Sequence, residues 1–254
     1  MKKQNANELT ITEHLKELKK RIIIVVLTVV ALFGVCLWQS NFLLTLFLSQ
    51  GREIGYTMVA LSPQETLIQQ FRISFTVGFL ISIPVLLYEL AAFISPAIEK
   101  KYKKWIWLVV TIGTLLFIAG MAFAIFLLFP FMINYLKGVS EQANVLMQVS
   151  VENYISLLLT IIFCIGLAFE IPIASATLSL ADLISSKSMK KHQGIVIIVI
   201  FVFAAIITPP DVVSQFMVGI PMLLLYEGSI LICATIEKRR KKHLEAILKQ
   251  TNTA

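Results

Sequence analysis

Apolar runs separated by short polar connections set the plan of the chain. Runs close to a membrane's width and nearly free of charge fall at about 22–38, 71–96, 105–129, 154–178 and 216–236, with a shorter bare run at about 195–208. At ~1.5 Å per helical residue the run from Ile195 to Ile207 reaches only about 20 Å, against a hydrocarbon core of ~30 Å. It must stop near Thr208, because Pro209 and Pro210 remove two consecutive backbone donors and push the preceding residue out of the α region. The chain then turns at Asp211 into a run from Phe216 to Ile236 that contains its own breaker, Pro221, and an ionisable residue, Glu227. The pattern predicts an all-α polytopic membrane protein with six spans in a single domain over 1–254. The last two spans are expected to be short, the fifth especially, and to be followed by a basic tail over 237–254.

Local signals refine this plan. Thr10-Ile11-Thr12-Glu13 reads as a capping box and predicts a helix start. Ile11, Leu15, Leu18 and Ile22 then recur at helical spacing, a narrow apolar stripe expected to lie at the membrane surface before the first span. His14, Glu17 and Arg21 take the other face, where an exposed pair of Glu17 and Arg21 would be worth about 0.3–0.5 kcal/mol. Leu61-Ser62-Pro63-Gln64-Glu65 closes the long connection from about 39 to 70 and predicts the cap of a short interfacial helix leading to Phe71. Pro84 in the second span, Pro130 at the end of the third, Pro172 in the fourth and Pro221 in the sixth are expected to bend or end their helices, giving a concave body.

Composition agrees with the pattern: 57% of the residues are hydrophobic and the mean hydropathy is +0.84, beyond the ~45–50% apolar share of soluble domains. Nineteen of the lysines and arginines lie in the N-terminal tail, the 99–104 and 179–194 loops and the C-terminal tail, against three elsewhere, Arg52, Arg72 and Lys137. That asymmetry places both termini in the cytoplasm. The net charge of +7 therefore reads as topology and attraction to anionic membrane lipids, with no nucleic-acid partner expected. Cys36, Cys164 and Cys233 fall far apart inside predicted spans, with neither a disulfide framework nor metal-ligand spacing. The polar N-terminus and the absence of a small-x-small site near Trp38-Gln39-Ser40 predict that the first span is retained. No nucleotide loop or catalytic constellation appears, so no enzymatic activity and no cofactor is expected.

Five ordered motifs resemble the TatC family of the twin-arginine protein translocase. His14-Leu15-Lys16-Glu17-Leu18-Lys19-Lys20-Arg21 is similar to its N-terminal motif, with Lys19 where arginine is usual, and Ser62-Pro63 with Glu65 to its extracytoplasmic Ser-Pro-x-Glu. The stretch from Phe93 to Tyr102 resembles the family's second loop, although it is about three residues shorter and has Ala91 where tryptophan is usual. Gly166-Leu167-Ala168-Phe169-Glu170-Ile171-Pro172 follows the fourth-span motif, and Thr208 to Gln215 with Pro221 and Tyr226-Glu227 the C-terminal signature. The resemblance implies a core receptor that binds twin-arginine signal peptides of folded cargo, works with TatA/TatB-type single-span membrane proteins and uses the proton-motive force. It further implies copies of the chain together in a complex in the cytoplasmic membrane.

Two adjacent arginines call for two carboxylates at the cytoplasmic face, each meeting a guanidinium fork. The resemblance assigns that pair to Glu17 and Glu99, with Leu18 and Phe93 beside them. Glu170, about sixteen residues into its span, is costly to bury alone and is by default a functional candidate. With Thr208, Pro209, Pro210, Asp211 and Gln215 at the hairpin tip, and Pro63 on the other side, it makes up the expected partner-helix and translocation region. The competing class is a small secondary transporter or channel subunit with Glu89, Glu170 and Glu227 as an ion path, which predicts repeated halves that the sequence does not display. A membrane scaffold that binds partners without moving cargo is the third class.

Overall fold

The long N-terminal helix α1 runs without interruption from Lys3 to Trp38. Thr10 is therefore inside a helix and does not start one: Lys3 to Leu9 contains neither glycine nor proline to stop propagation upstream of the capping box. The surface stripe and the first span are one continuous rod. The structure, a computed structural model, describes residues 3–94, 103–143, 148–180 and 183–251, with side chains over 15–93, 107–143, 148–180 and 183–240. The chain divides into two compact units, Met1–Thr114 with Leu146–Leu159, and Leu115–Val145 with Thr160–Ala254, each taken by itself below.

In the first unit α1 packs along α3, Glu65–Ile94. Between them lies α2, Ser40–Glu53, a helix in the connection that the periodicity left unassigned. It ends in a Schellman motif: Tyr56 N–H reaches Gly51 O at 3.0 Å, Gly55 N–H reaches Arg52 O at 2.9 Å, and Gly55 has φ of 93°. Strand β1, Thr57–Val59, follows and pairs in parallel with β2, Gln148–Ser150, with Thr57 opposite Gln148. The Ser62-Pro63-Gln64 turn leads directly into α3, so the separate interfacial helix expected before Phe71 is the first turn of the span itself. Pro84 lies within α3 without ending it.

The third span also departs from expectation. Helix α4, Lys103–Phe123, passes through a π-helical turn at Ala124–Leu128 into α5, Phe129–Gln142, instead of ending at Pro130. Phe129 N–H bonds back to Ala124 O, five residues away, and this wider turn relieves the clash that Pro130 would make with a regular i−4 carbonyl.

In the second unit the fourth run is broken as predicted, between α6, Val151–Ala168, which begins in the first unit, and α7, Ile171–Leu180. The short α8, Ser186–Lys191, leads to α9, Gln193–Ile207. At 15 residues α9 is about 22 Å long. The last helix, α10, runs from Val212 to Thr251 and packs on α7, α8 and α9. It corrects the expectation of a short final span: its candidate membrane-crossing stretch, Val212–Arg240, has 29 residues, because Asp211 starts the helix well before Phe216 and Pro221 does not interrupt it. Met189, Ile200, Tyr226, Ile230 and Cys233 form the core of these elements, and Tyr226 Oη donates to Met189 O at 2.9 Å. Among the described residues five helical stretches are long and apolar enough to cross a membrane, and α9 is a sixth, shorter apolar helix.

Candidate functional site

The residues singled out by sequence fall in three places. Near the N-terminal end of the first apolar run, Glu17 and Arg21 stand one turn apart on α1. Arg21 Nε and Nη2 donate to Glu17 Oε1 at 3.1 and 2.6 Å. Its remaining Nη1 reaches across to α3 and donates to Glu89 Oε2 at 2.7 Å. The pairing is therefore not the isolated i,i+4 contact that spacing suggests, but a clasp between two helices. Its members differ in exposure, 35% for the Glu17 side chain, 21% for Arg21 and 11% for Glu89, so the guanidinium sits at an edge open to solvent on the Glu17 side. Leu18 and Phe93 are half-buried, one residue from Glu17 and four from Glu89. Tyr88 stacks on Trp107 at a centroid distance of 5.4 Å, tying the end of α3 to the start of α4. Glu99 lies outside the described residues.

Glu89 in this role was missed by sequence reasoning. The available signal was the cost of a carboxylate within an apolar helix, which demands a partner. The separation of 68 residues from Arg21 gave no pattern to find it.

The second place is the Pro63 turn. Glu65 is buried and its carboxylate ties three backbone donors: Oε2 accepts from Leu61 N at 2.6 Å and Ser62 N at 3.3 Å, and Oε1 from Glu152 N at 2.7 Å. One side chain thus caps its own turn and anchors the first turn of α6. Beside β1 and β2, it closes that end of the unit.

The third place is the broken fourth run and the hairpin. Glu170 N–H turns back to Leu167 O at 3.0 Å, and Pro172 supplies no donor to continue the helix. Phe169 packs at 5.9 Å from Phe123, over Gly120, where a Cβ would lie 2.7 Å from its ring. Glu170 is left with both carboxylate oxygens buried and, among the described residues, without a hydrogen-bond partner. A neutral amide or hydroxyl left so costs roughly 2–7 kcal/mol in an apolar medium and an ionised carboxylate more, a cost that a hydrogen-bond donor would offset.

At the hairpin tip Thr208 leaves the α region with ψ of 160°, as a residue before proline must, and its hydroxyl donates to Ala204 O at 2.9 Å. Pro209 O accepts from Asp211 N at 2.7 Å, closing the turn through Pro210. Asp211 Oδ1 accepts from Ser214 N at 2.7 Å and so caps α10. Gln215 Nε2 donates to Phe201 O at 2.8 Å, pinning α10 to α9. The tip is held by its own polar groups. Of the three acids an ion path would use, Glu89 is paired with Arg21 and Glu227 accepts from Gln193, which leaves Glu170.

Comparison with known proteins follows from this geometry. The family model described as Sec-independent protein translocase protein (TatC) matches residues 13–221. The chain is 30% identical over 242 residues to the Sec-independent protein translocase protein TatCy of Bacillus subtilis, covering 95% of each. It is 36% identical over 230 residues to the TatC protein of Helicobacter pylori, covering 90% of this chain and 88% of that one. A solved crystal structure of the twin arginine translocase receptor TatC superposes with a TM-score of 0.81 at 32% identity, over 87% of this chain and 98% of the other. A multi-pass membrane protein of the protein-transport class, the chain belongs to the TatC family of Sec-independent protein translocases.

Proposed function

We propose that this chain is the receptor subunit of a twin-arginine translocation system. It sits in the cytoplasmic membrane with six spans, the short α9 among them, and with both termini cytoplasmic, as the distribution of lysine and arginine requires. It binds the twin-arginine signal peptides of folded cargo at the cytoplasmic ends of the early spans. Glu17 and Glu99 receive the guanidinium groups there, and Leu18 and Phe93 line the approach of the peptide's apolar part. The observation that carries this reading is the match over 87% of the chain to a solved twin arginine translocase receptor.

Cargo movement in this reading needs partners. Glu170, with two unpartnered buried oxygens, is the group that a TatA/TatB-type single-span helix meets through its own polar side chain. Pro63, the prolines at 209 and 210, and the ties made by Thr208, Asp211 and Gln215 hold the frame on which several copies of the chain and these helices assemble. An α9 of about 22 Å also thins the bilayer locally, which lowers the barrier for a passing polypeptide driven by the proton-motive force.

The experiment is site-specific photocrosslinking from positions beside Glu17 and Glu99 to a signal peptide containing Arg-Arg and to its Lys-Lys counterpart. Crosslinks to the Arg-Arg peptide alone, lost in Glu17→Ala and in Glu99→Ala, are expected. Equal crosslinking of the two peptides would overturn the receptor reading.

A further inference from the structure

Arg21 is held by two carboxylates on different helices, Glu17 on α1 and Glu89 near the end of α3. We propose that Arg21 is a built-in occupant of the arginine site: in the resting protein its guanidinium fills the place that an incoming peptide arginine takes, and Glu89 is a further acceptor beside Glu17 and Glu99. This rests on the reading of the chain as a twin-arginine receptor and adds to it an acceptor and a means of regulation.

The hydrogen-bond pattern supports exchange. Arg21 places two donors on a single oxygen of Glu17 and one donor on a single oxygen of Glu89, so it meets neither carboxylate fork to fork. A guanidinium aligned with one carboxylate makes two parallel bonds, the stronger arrangement. Two peptide arginines, one per carboxylate, can each adopt it; one arginine stretched between two carboxylates cannot.

Charge counts the same way. Glu17, Glu89 and Arg21 together sum to −1, and turning Arg21 out adds one negative charge at the site for an arriving arginine to neutralise. Because one cation leaves as two arrive, the site gains one positive charge instead of two. That moderates the repulsion expected from Lys16, Lys19 and Lys20, which are exposed on the same helix.

Access is consistent as well. The Glu17 side chain is 35% exposed and that of Arg21 21%, so the guanidinium is reachable from outside and is not sealed within the fold. The Glu17 side of the clasp, at this exposure, contributes little and is readily exchanged, whereas Glu89, 11% exposed, holds the guanidinium from the shielded side. Once displaced, the long Arg21 side chain can extend along α1 toward lipid phosphates while its aliphatic stem stays on the apolar surface.

The test uses the full chain in lipid nanodiscs and labelled signal peptides containing Arg-Arg, Arg-Lys or Lys-Lys, with affinity read by anisotropy and folding by thermal unfolding. Arg21→Gln is expected to raise Arg-Arg affinity about three- to tenfold by removing the competitor. Glu89→Gln is expected to lower it about tenfold and to narrow the gap between Arg-Arg and Arg-Lys. Arg21→Gln weakening Arg-Arg binding as far as Glu17→Gln does would make Arg21 a fixed brace and overturn the proposal, as would unchanged binding in Glu89→Gln. A second readout does not need the peptide. Millimolar guanidinium should raise the unfolding temperature of Arg21→Gln, but not that of the wild type, beyond the effect of sodium at equal ionic strength, and no such selective rise would also count against an exchangeable guanidinium site. If the wild type binds all three peptides alike, the receptor reading fails, while the guanidinium experiment still decides whether Arg21 occupies an exchangeable site.

Discussion

Gly78 brings α3 close against the α1 backbone, and its replacement tests that packing. A Cβ built there would lie 2.8 Å from the Phe33 backbone nitrogen, 3.0 Å from Phe33 Cα and 3.1 Å from Leu32 C. Ordinary contacts between such atoms are ~3.5–4.0 Å, so alanine requires α1 to move off by about 1 Å. Backbone atoms cannot rotate away as a side-chain tip would. Overpacking of this kind costs about 1–3 kcal/mol, against which alanine gains roughly 1 kcal/mol in helix propensity. Gly34, next to Phe33 on α1, supplies the control: nothing lies within 4 Å of its built Cβ, so Gly34→Ala keeps the propensity gain without the clash. The propensity contribution cancels in the comparison. Gly78→Ala should therefore unfold below Gly34→Ala by the packing cost alone, which at ~2–4 °C per kcal/mol is about 2–12 °C. The clasp supplies a second readout. A separation of ~1 Å would stretch the Arg21 to Glu89 bond, now 2.7 Å, beyond hydrogen-bond length and lower discrimination between Arg-Arg and Lys-Lys peptides. Thermal unfolding in detergent, measured on both single variants, decides the matter. A Gly78→Ala protein as stable as Gly34→Ala would refute the close approach.

The other polar ties make separate predictions. Glu65→Gln should speed hydrogen exchange at the Leu61, Ser62 and Glu152 amides together; acceleration at Leu61 and Ser62 alone would reduce Glu65 to a local cap. Asp211→Ala should lower stability by about 0.5–2 kcal/mol through loss of the α10 cap while Asp211→Asn retains most of it, and equal unfolding temperatures for both would remove the cap from the account. Glu170→Ala should reduce copurification of a TatA-type single-span partner severalfold with Glu170→Gln intermediate; undiminished copurification in the alanine variant would sink the partner role. Lengthening α9 by one turn, about four leucines, should impair export and spare signal-peptide binding, and unchanged export would exclude thinning as the mechanism.

What could be seen in the sequence was what local chemistry dictates. The double proline after Ile207 fixed the end of α9, and Pro172 marked the break that isolates Glu170, because proline acts on its immediate neighbours. Residues across a loop were harder. Helix α2 carries an apolar run, Phe42 to Leu48, too short to cross a membrane, in a helix of only 14 residues, and β1 and β2 are three residues each, paired over a separation that leaves no periodic trace. The third span was cut at Pro130 because a proline normally stops a helix, and the π turn before it has no compositional signature. The final helix was cut at Phe216 because its polar first turn was counted as loop, although Asp211 followed by Ser214 is a cap. For Glu17 the spacing gave Arg21 but not Glu89.

These outcomes sort the polar groups by how completely the chain satisfies them. Thr208, the capping oxygen of Asp211, Gln215 Nε2 and the Glu65 carboxylate all find partners within the fold, and those partners are backbone groups that cannot leave. They hold corners. Arg21, Glu17 and Glu89 are satisfied by one another through side chains at a partly open edge, so their pairing can be exchanged for a better one. Both oxygens of Glu170 are satisfied by nothing within the described residues. A buried carboxyl group without a partner is costly in a membrane protein, and a partner supplied by another helix of the assembly is one way to offset that cost. In the proposed reading the exchangeable clasp would serve recognition of a mobile ligand, the peptide, and the unsatisfied acid a longer-lived contact with another helix. Mutations should separate accordingly: those at Glu17, Glu89 and Arg21 change peptide discrimination first, and those at Glu170 change assembly first.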